Sequence, residues 1–307
     1  MGERGGVLMH SYSIARPSHT PRVDERFDLA DGRALAYAEW GQPDGKPLLF
    51  FHGTPGSRLF CPDERATTNA GVRFVAFDRA GYGQSDVATH QIGLPQFVPD
   101  VIELLDHLAV DRAVLVGWSG GGPHALAVAA MEPDRVVSVG LASAGVINSS
   151  NRDATLQAMR GTPEVNALIH EIVEDPVGRR DLARVRCQWL MDDPTELVRL
   201  TERFVPEALS AVGLLEAMET LFVEAGRSGI EGYVNDYVTC FATELGFELS
   251  DVRVPVASWY GERDRNGPPE NSRSTAAQIP GCKLIACSEC GHFTPIAHWS
   301  EILERLL

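Results

Sequence analysis

The sequence predicts an α/β architecture, a mostly parallel sheet covered on both faces by helices, and three observations predict it. Short apolar runs such as Val72–Phe77 and Val136–Ala142 alternate with helix-period segments, which is how repeated β-α-β units read. Val114-Leu115-Val116 stops at Gly117-Trp118-Ser119-Gly120-Gly121 and gives way at once to a small-residue helical run, Ala125 to Ala130. That is strand, sharp turn, helix. After a long stretch of helical signals, strands and helices resume from Val254 and close the same domain.

The composition is compatible with this. A chain of 307 residues, 44% apolar and 22% charged, suits one large domain or a core carrying an insertion. A net charge of −15 argues against nucleic acid and anionic membrane surfaces as partners. The longest wholly apolar runs, such as Pro47 to Phe51, span only a few residues, too few for a bilayer. Residues 1–21 read as a flexible lead-in without a signal-peptide core. Six scattered cysteines, with no disulfide-like framework, suit a reducing cytoplasm. Cys287-x-x-Cys290 has no second pair at metal-ligand spacing, so it reads as two free thiols beside a functional loop. No metal and no cofactor are expected.

In chain order, Arg22–Leu29 and Ala34–Trp40 flank Asp31-Gly32 and predict a β-hairpin. Pro47–Phe51 is a buried strand ending in the bend His52-Gly53-Thr54-Pro55-Gly56, which can aim backbone N–H groups into a pocket. Ser57–Ala70 predicts a helix. Val72–Phe77 is a strand, followed by the glycine-rich loop Asp78–Asp86, in which Asp78 and Arg79 read as a structural ion pair. Pro95–Leu108 is amphipathic, with Phe97, Val101, Leu104, Leu105 and Leu108 inward and Asp100, Glu103 and Asp106 opposite.

From Gly145 to Leu249 helical signals dominate, including Pro206–Phe222 and Gly232–Thr243. Residues 145–249 therefore read as a helical insertion, a cap with a small core of its own, between core segments 22–144 and 250–307. Then follow strand Val254–Tyr260, helix Asn271–Gln278, strand Lys283–Cys287 and terminal helix Ala297–Leu307.

The chemistry gathers on the G-x-S-x-G turn. A serine on a strained strand-to-helix bend needs glycine neighbours so that the two elements can close beneath it, and Ser119 then stands at the positive end of a helix. Pro123 in the first helical turn removes no hydrogen bond, because N–H groups there lack helical partners. Asp264 follows the strand Val254–Tyr260 and His292 follows Lys283–Cys287, so both loops open on the sheet edge that carries Ser119. His292 would take the serine proton and Asp264 would orient the imidazole. Glu262 is the rival acid, placed less deeply in its loop. The backbone N–H groups of Thr54 and Gly120 are the candidate oxyanion donors. His52 and His124 read as packing residues.

With HGTPG at His52–Gly56, DRAGYGQSD at Asp78–Asp86, GWSGGGPHALA at Gly117–Ala127, GERD at Gly261–Asp264 and GHF at Gly291–Phe293, the chain resembles the α/β-hydrolase superfamily from about Arg22 onward. The resemblance implies an eight-stranded sheet with an antiparallel second strand, a lid after the sixth strand, and a serine hydrolase working through an acyl-enzyme. A serine where epoxide hydrolases and haloalkane dehalogenases carry aspartate argues against those activities. The expected activity is cytoplasmic hydrolysis of a carboxylic ester of a small or medium-sized molecule. The His-Gly-x-Pro-Gly loop also resembles proline iminopeptidases, so an aminopeptidase is the alternative, with Thr54 replacing their usual glycine. A cofactor-free lyase or cyclase and a non-catalytic ligand receptor are the remaining readings.

Overall fold

The computed structural model describes residues 17–148, 151, 155, 171, 179–192, 213–241 and 244–307. Most of the expected lead-in and, within the expected helical cap 145–249, residues 149–150, 152–154, 156–170, 172–178, 193–212 and 242–243 lie outside the described residues. Strands β1 (Val23–Asp28) and β2 (Ala34–Gly41) form the expected hairpin, with Val23 opposite Glu39 and Asp28 opposite Ala34. Its turn is closed by the Gly32 N–H donating to Leu29 O (2.9 Å), with Gly32 at φ +86°, where a side chain would be strained.

Six further strands complete one sheet: β3 (Lys46–Phe51), β4 (Val72–Phe77), β5 (Ala113–Trp118), β6 (Val136–Ala142), β7 (Val256–Gly261) and β8 (Lys283–Cys287). Their spatial order is β1-β2-β4-β3-β5-β6-β7-β8. β2 runs antiparallel to both its neighbours, and every later pairing is parallel. The order reverses at β3, which lies between β4 and β5. In open α/β sheets the crevice beyond the strand ends at such a reversal is where ligands bind.

Strand alternation divides the interior into two layers. Leu48, Phe50, Phe74, Val114 and Val116 face a cluster that includes Trp299, Ile302, Leu303 and Leu306 of the terminal helix. Leu49, Phe51, Val75, Phe77 and Leu115 face the helix Leu94–His107 (α2) and the helix Gly121–Met131 (α3) on the other side. Each fully buried side chain of this size contributes about 1.5–3 kcal/mol of transfer free energy.

Two helices differ from expectation. The first, α1, covers only Glu64–Asn69, because Asp63 caps it by accepting from the Ala66 N–H (2.8 Å) and the preceding residues are claimed elsewhere. Arg58 is fully buried among carboxylates, and Cys61 bridges to Ser18 through paired backbone hydrogen bonds. In α2, Asp100 is not on the solvent face but buried at 4% exposure, with both its oxygens accepting from the Arg33 guanidinium (2.6 and 2.9 Å). Between β6 and β7 run α4 (Arg179–Asp192), α5 (Leu214–Ala225) and α6 (Glu231–Phe241). Among the described residues, their buried apolar side chains, including Met218, Leu221, Tyr233 and Val234, share one cluster with Phe50 and Trp118 of the sheet. The sheet is completed by α7 (Pro269–Gln278) and α8 (Thr294–Leu306).

Candidate active site

Ser119 occupies the single residue between β5 and the cap of α3 and adopts φ +51°. A non-glycine residue there carries strain of about 1–3 kcal/mol, tolerated only where the surroundings enforce it. They do so here: the Ser119 N–H donates to Ala142 O of β6 (3.1 Å), and Ser119 O accepts from the Gly122 N–H (2.9 Å). The motif glycines permit the close approach. A Cβ on Gly117 would lie 2.7 Å from Gly122 Cα, and one on Gly121 would run into the Phe51 carbonyl.

The structure brings all three expected side chains together. Ser119 Oγ lies 2.9 Å from His292 Nε2, and His292 Nδ1 lies 2.8 Å from Asp264 Oδ2. An ionised carboxylate only accepts, so Nδ1 carries the hydrogen and Nε2 is left to accept from the serine hydroxyl. The other Asp264 oxygen accepts from the N–H groups of Asn266 (2.9 Å) and Gly267 (2.8 Å), which fixes the carboxylate plane. Trp118 Nε1 donates to His292 O (3.0 Å) and ties the histidine loop to β5. Ser119 and His292 are half-buried and Asp264 is buried, whereas Glu262 is exposed. The arrangement pairs a reachable hydroxyl with a sheltered acid.

Beside Ser119, an ideal Cβ on Gly120 would lie 3.5 Å from Thr54 N, so the two proposed donor positions converge. Neither the Thr54 nor the Gly120 N–H donates to another described residue. Two such amides beside a serine hydroxyl are the kind of donor pair that can receive an oxyanion.

Behind them sits a buried charge cluster that sequence reasoning missed. Asp236 of α6, 1% exposed, accepts from Arg79 Nη2 (2.5 Å), Thr54 Oγ1 (2.7 Å) and Tyr82 Oη (3.0 Å). Arg79 also donates to the carbonyls of His52 (2.7 Å) and Gly53 (3.2 Å). Asp78 and Arg79 therefore do not pair with each other: Asp78 accepts from the Arg58 backbone N–H (2.6 Å) and guanidinium (2.7 Å), while Arg79 turns toward α6. Burial pushes the Asp236 carboxyl up, but the guanidinium against it outweighs this and holds it at about 2. Burial, reinforced by the Arg79 charge, depresses His124 to about 4 and puts His52 well below its ordinary value. Both histidines are packing residues, as expected: His52 Nδ1 lies 2.7 Å from Gly53 O and His124 Nδ1 lies 2.9 Å from Gly120 O.

A family model described as alpha/beta hydrolase fold matches residues 46–167. Rhodomycin D methylesterase DnrP of Streptomyces peucetius is 28% identical over 272 residues, covering 84% of this chain and 88% of the relative. The bifunctional esterase/perhydrolase DCH of Acinetobacter calcoaceticus is 29% identical over 294 residues, covering 90% and 96%. These matches support an esterase-like protein of the α/β-hydrolase fold. Among solved structures, the hydrolase shares its fold with an esterase (EaEST) from Exiguobacterium antarcticum, with a TM-score of 0.67 at 19% identity over 92% of this chain and 98% of that one.

One local signal in the hydrolase pointed at Asp236. Tyr233, Asp236, Tyr237 and Cys240 follow helical spacing on one face of α6, and Tyr233 and Tyr237 are buried. A carboxylate on the apolar face of an amphipathic helix requires a buried cation, and Arg79 is that cation.

Proposed function

We propose that this hydrolase cleaves a carboxylic ester of a small or medium-sized molecule through an acyl-enzyme on Ser119. The observation that carries the reading is the continuous relay from Ser119 Oγ through His292 to Asp264, at 2.9 and 2.8 Å. In the first half-reaction the serine oxygen adds to the ester carbonyl as Nε2 takes its proton. The tetrahedral oxyanion is met by the Thr54 and Gly120 N–H groups. Its collapse expels the alcohol, which leaves with the proton from Nε2. In the second half a water, deprotonated by the same nitrogen, releases the acid and restores the serine. Asp264 keeps the imidazole in the required tautomer and offsets its positive charge.

The relatives favour esters, since by name DnrP is a methylesterase and DCH an esterase/perhydrolase. The segment 145–249 serves as the lid that selects the substrate, and Asp236 joins it to the oxyanion loop. We place the enzyme in the cytoplasm, free of membrane and nucleic acid; no helix among the described residues is long and apolar enough to cross a bilayer. The test is a matched series of p-nitrophenyl esters and aminoacyl p-nitroanilides. Turnover of short esters that is abolished in Ser119→Ala, with little on the anilides, is expected. Preferential anilide turnover would transfer the assignment to an aminopeptidase.

A further inference from the structure

Away from the relay, one cluster of nucleophilic and metal-ligating groups has no part in ester cleavage. Cys287 ends β8, Cys290 follows one turn later, and His298 reaches them from α8. One donor atom from each lies within 4.8 Å of the others, and Cys290 Sγ is 3.2 Å from His298 Nε2. We propose that these three residues bind a zinc-class divalent cation beside the loop that carries His292.

The geometry supports the assignment at three levels. Zinc sits about 2.3 Å from thiolate sulfur and about 2.0 Å from imidazole nitrogen, so tetrahedral ligands stand roughly 3.5–3.8 Å apart. The Cys290 Sγ–His298 Nε2 separation of 3.2 Å is close to this, and the Cys287 sulfur lies within 4.8 Å of both. Two sulfurs and one imidazole form a soft donor set that selects zinc-like ions over calcium or magnesium. The His298 nitrogen facing away from the sulfurs, Nδ1, lies 3.1 Å from Glu301 Oε2. A carboxylate on the remote nitrogen is the support that metal-binding histidines take, because it leaves the lone pair of the near nitrogen directed at the ion.

The backbone holds this set in place. The Cys290 N–H donates to Cys287 O (3.2 Å), closing the turn between the thiols. Cys287 O and Cys290 O accept from the N–H groups of Glu262 (3.0 Å) and Arg263 (3.1 Å), which clamps the turn to the loop that supplies Asp264. Helix α8 leaves helical geometry at His298 itself (φ −124°, ψ 20°). A kink inside a helix requires a local cause, and here it delivers the imidazole to Cys290. Cys287 is buried, while Cys290 and His298 are only partly so, leaving a solvent-facing side for a fourth, water ligand.

The site is independent of the ester-hydrolase reading, and its consequence is mechanical: the ion would pin Cys290, two residues before His292, to α8. The test uses the full chain, purified under reducing conditions without chelator and exchanged with cobalt(II). We expect close to one equivalent of zinc per chain by mass spectrometry as isolated, and thiolate-to-cobalt charge-transfer absorption with tetrahedral d–d bands after exchange. Cys290→Ser and His298→Gln should each abolish those bands, Glu301→Gln should weaken affinity about 10–100-fold, and Ser119→Ala should leave the spectrum unchanged. Circular dichroism separates loss of the ion from loss of the fold in each variant. The proposal is overturned if the reduced wild-type chain retains neither zinc nor cobalt at micromolar concentrations. It is equally overturned if the two cysteines are isolated as a disulfide that takes up no metal once reduced, or if folded Cys290→Ser and His298→Gln both bind like the wild type. None of these results would touch the ester-hydrolase reading, which rests on Ser119.

Discussion

Two polar centres meet at the reversal point of the sheet, and they are built on opposite principles. The Ser119 centre consists of neutral or singly charged groups on three loops at strand ends, half-open to solvent, each held by local backbone hydrogen bonds. The Asp236 centre is a charge pair almost fully removed from water, 3% and 2% exposed across Arg79 and Asp236, and it joins a helix lying between β6 and β7 to loops after β3 and β4. The first is arranged to react, the second to hold. Removing a reactive group should abolish chemistry while sparing the fold, whereas removing a buried ion should cost the fold, because the charge left behind has no water to turn to.

The largest effect that would break this contrast belongs to Ser119→Ala. We expect kcat on a short ester to fall by about six orders of magnitude with the urea midpoint unchanged, read by parallel turnover and unfolding measurements. Next comes Asp236→Ala, which strands the Arg79 guanidinium and should destabilise the protein by about 3–5 kcal/mol in urea unfolding. Asp236→Ala together with Arg79→Met should recover a large part of that loss.

Acid sharpens the comparison further. His124 is held at about 4 against an ordinary 6.5 by burial and the Arg79 charge, so the unfolded chain binds a proton that the folded chain refuses. Stability is therefore full above pH 6.5 and falls as the pH drops toward 4, by about 3 kcal/mol from this group. His52, shifted the same way, adds to the slope. Asp236, at about 2, stays ionised throughout this window and contributes nothing to it until lower pH. Chemical denaturation at pH 7.0, 5.5 and 4.5 should show the fall, and His124→Gln should flatten it. The smallest effect belongs to Trp118→Phe, which removes one hydrogen bond to His292 O. A loss of about 0.5–1.5 kcal/mol is expected, with a several-fold fall in kcat and little change in KM.

The same contrast explains what was legible in the sequence. Val72–Phe77 and Val136–Ala142 match their strands residue for residue, because strands buried on both faces leave nearly uninterrupted apolar runs; Lys283–Cys287 matches as well, as a largely exposed strand at the sheet edge. Ser119, Asp264 and His292 were readable since each follows a strand inside a short motif. Arg58, Asp100 and Arg79 were misplaced for one shared reason. Their partners, Asp78, Arg33 and Asp236, lie 20, 67 and 157 residues away, and no local period encodes a long-range ion pair. In the segment 57–62 tertiary contacts overrode helical propensity, and in α2 the Arg33 guanidinium drew inward a residue that amphipathic spacing assigns to solvent.

The account rests on His292 activating Ser119, and covalent labelling tests that most directly. Incubated with a fluorophosphonate at neutral pH, the hydrolase should gain one phosphonyl group per chain, mapped to Ser119 by peptide mass spectrometry, at a rate that falls by orders of magnitude in His292→Ala. An enzyme that turns over esters yet is labelled at another residue, or whose Ser119 is labelled equally fast without His292, would contradict it.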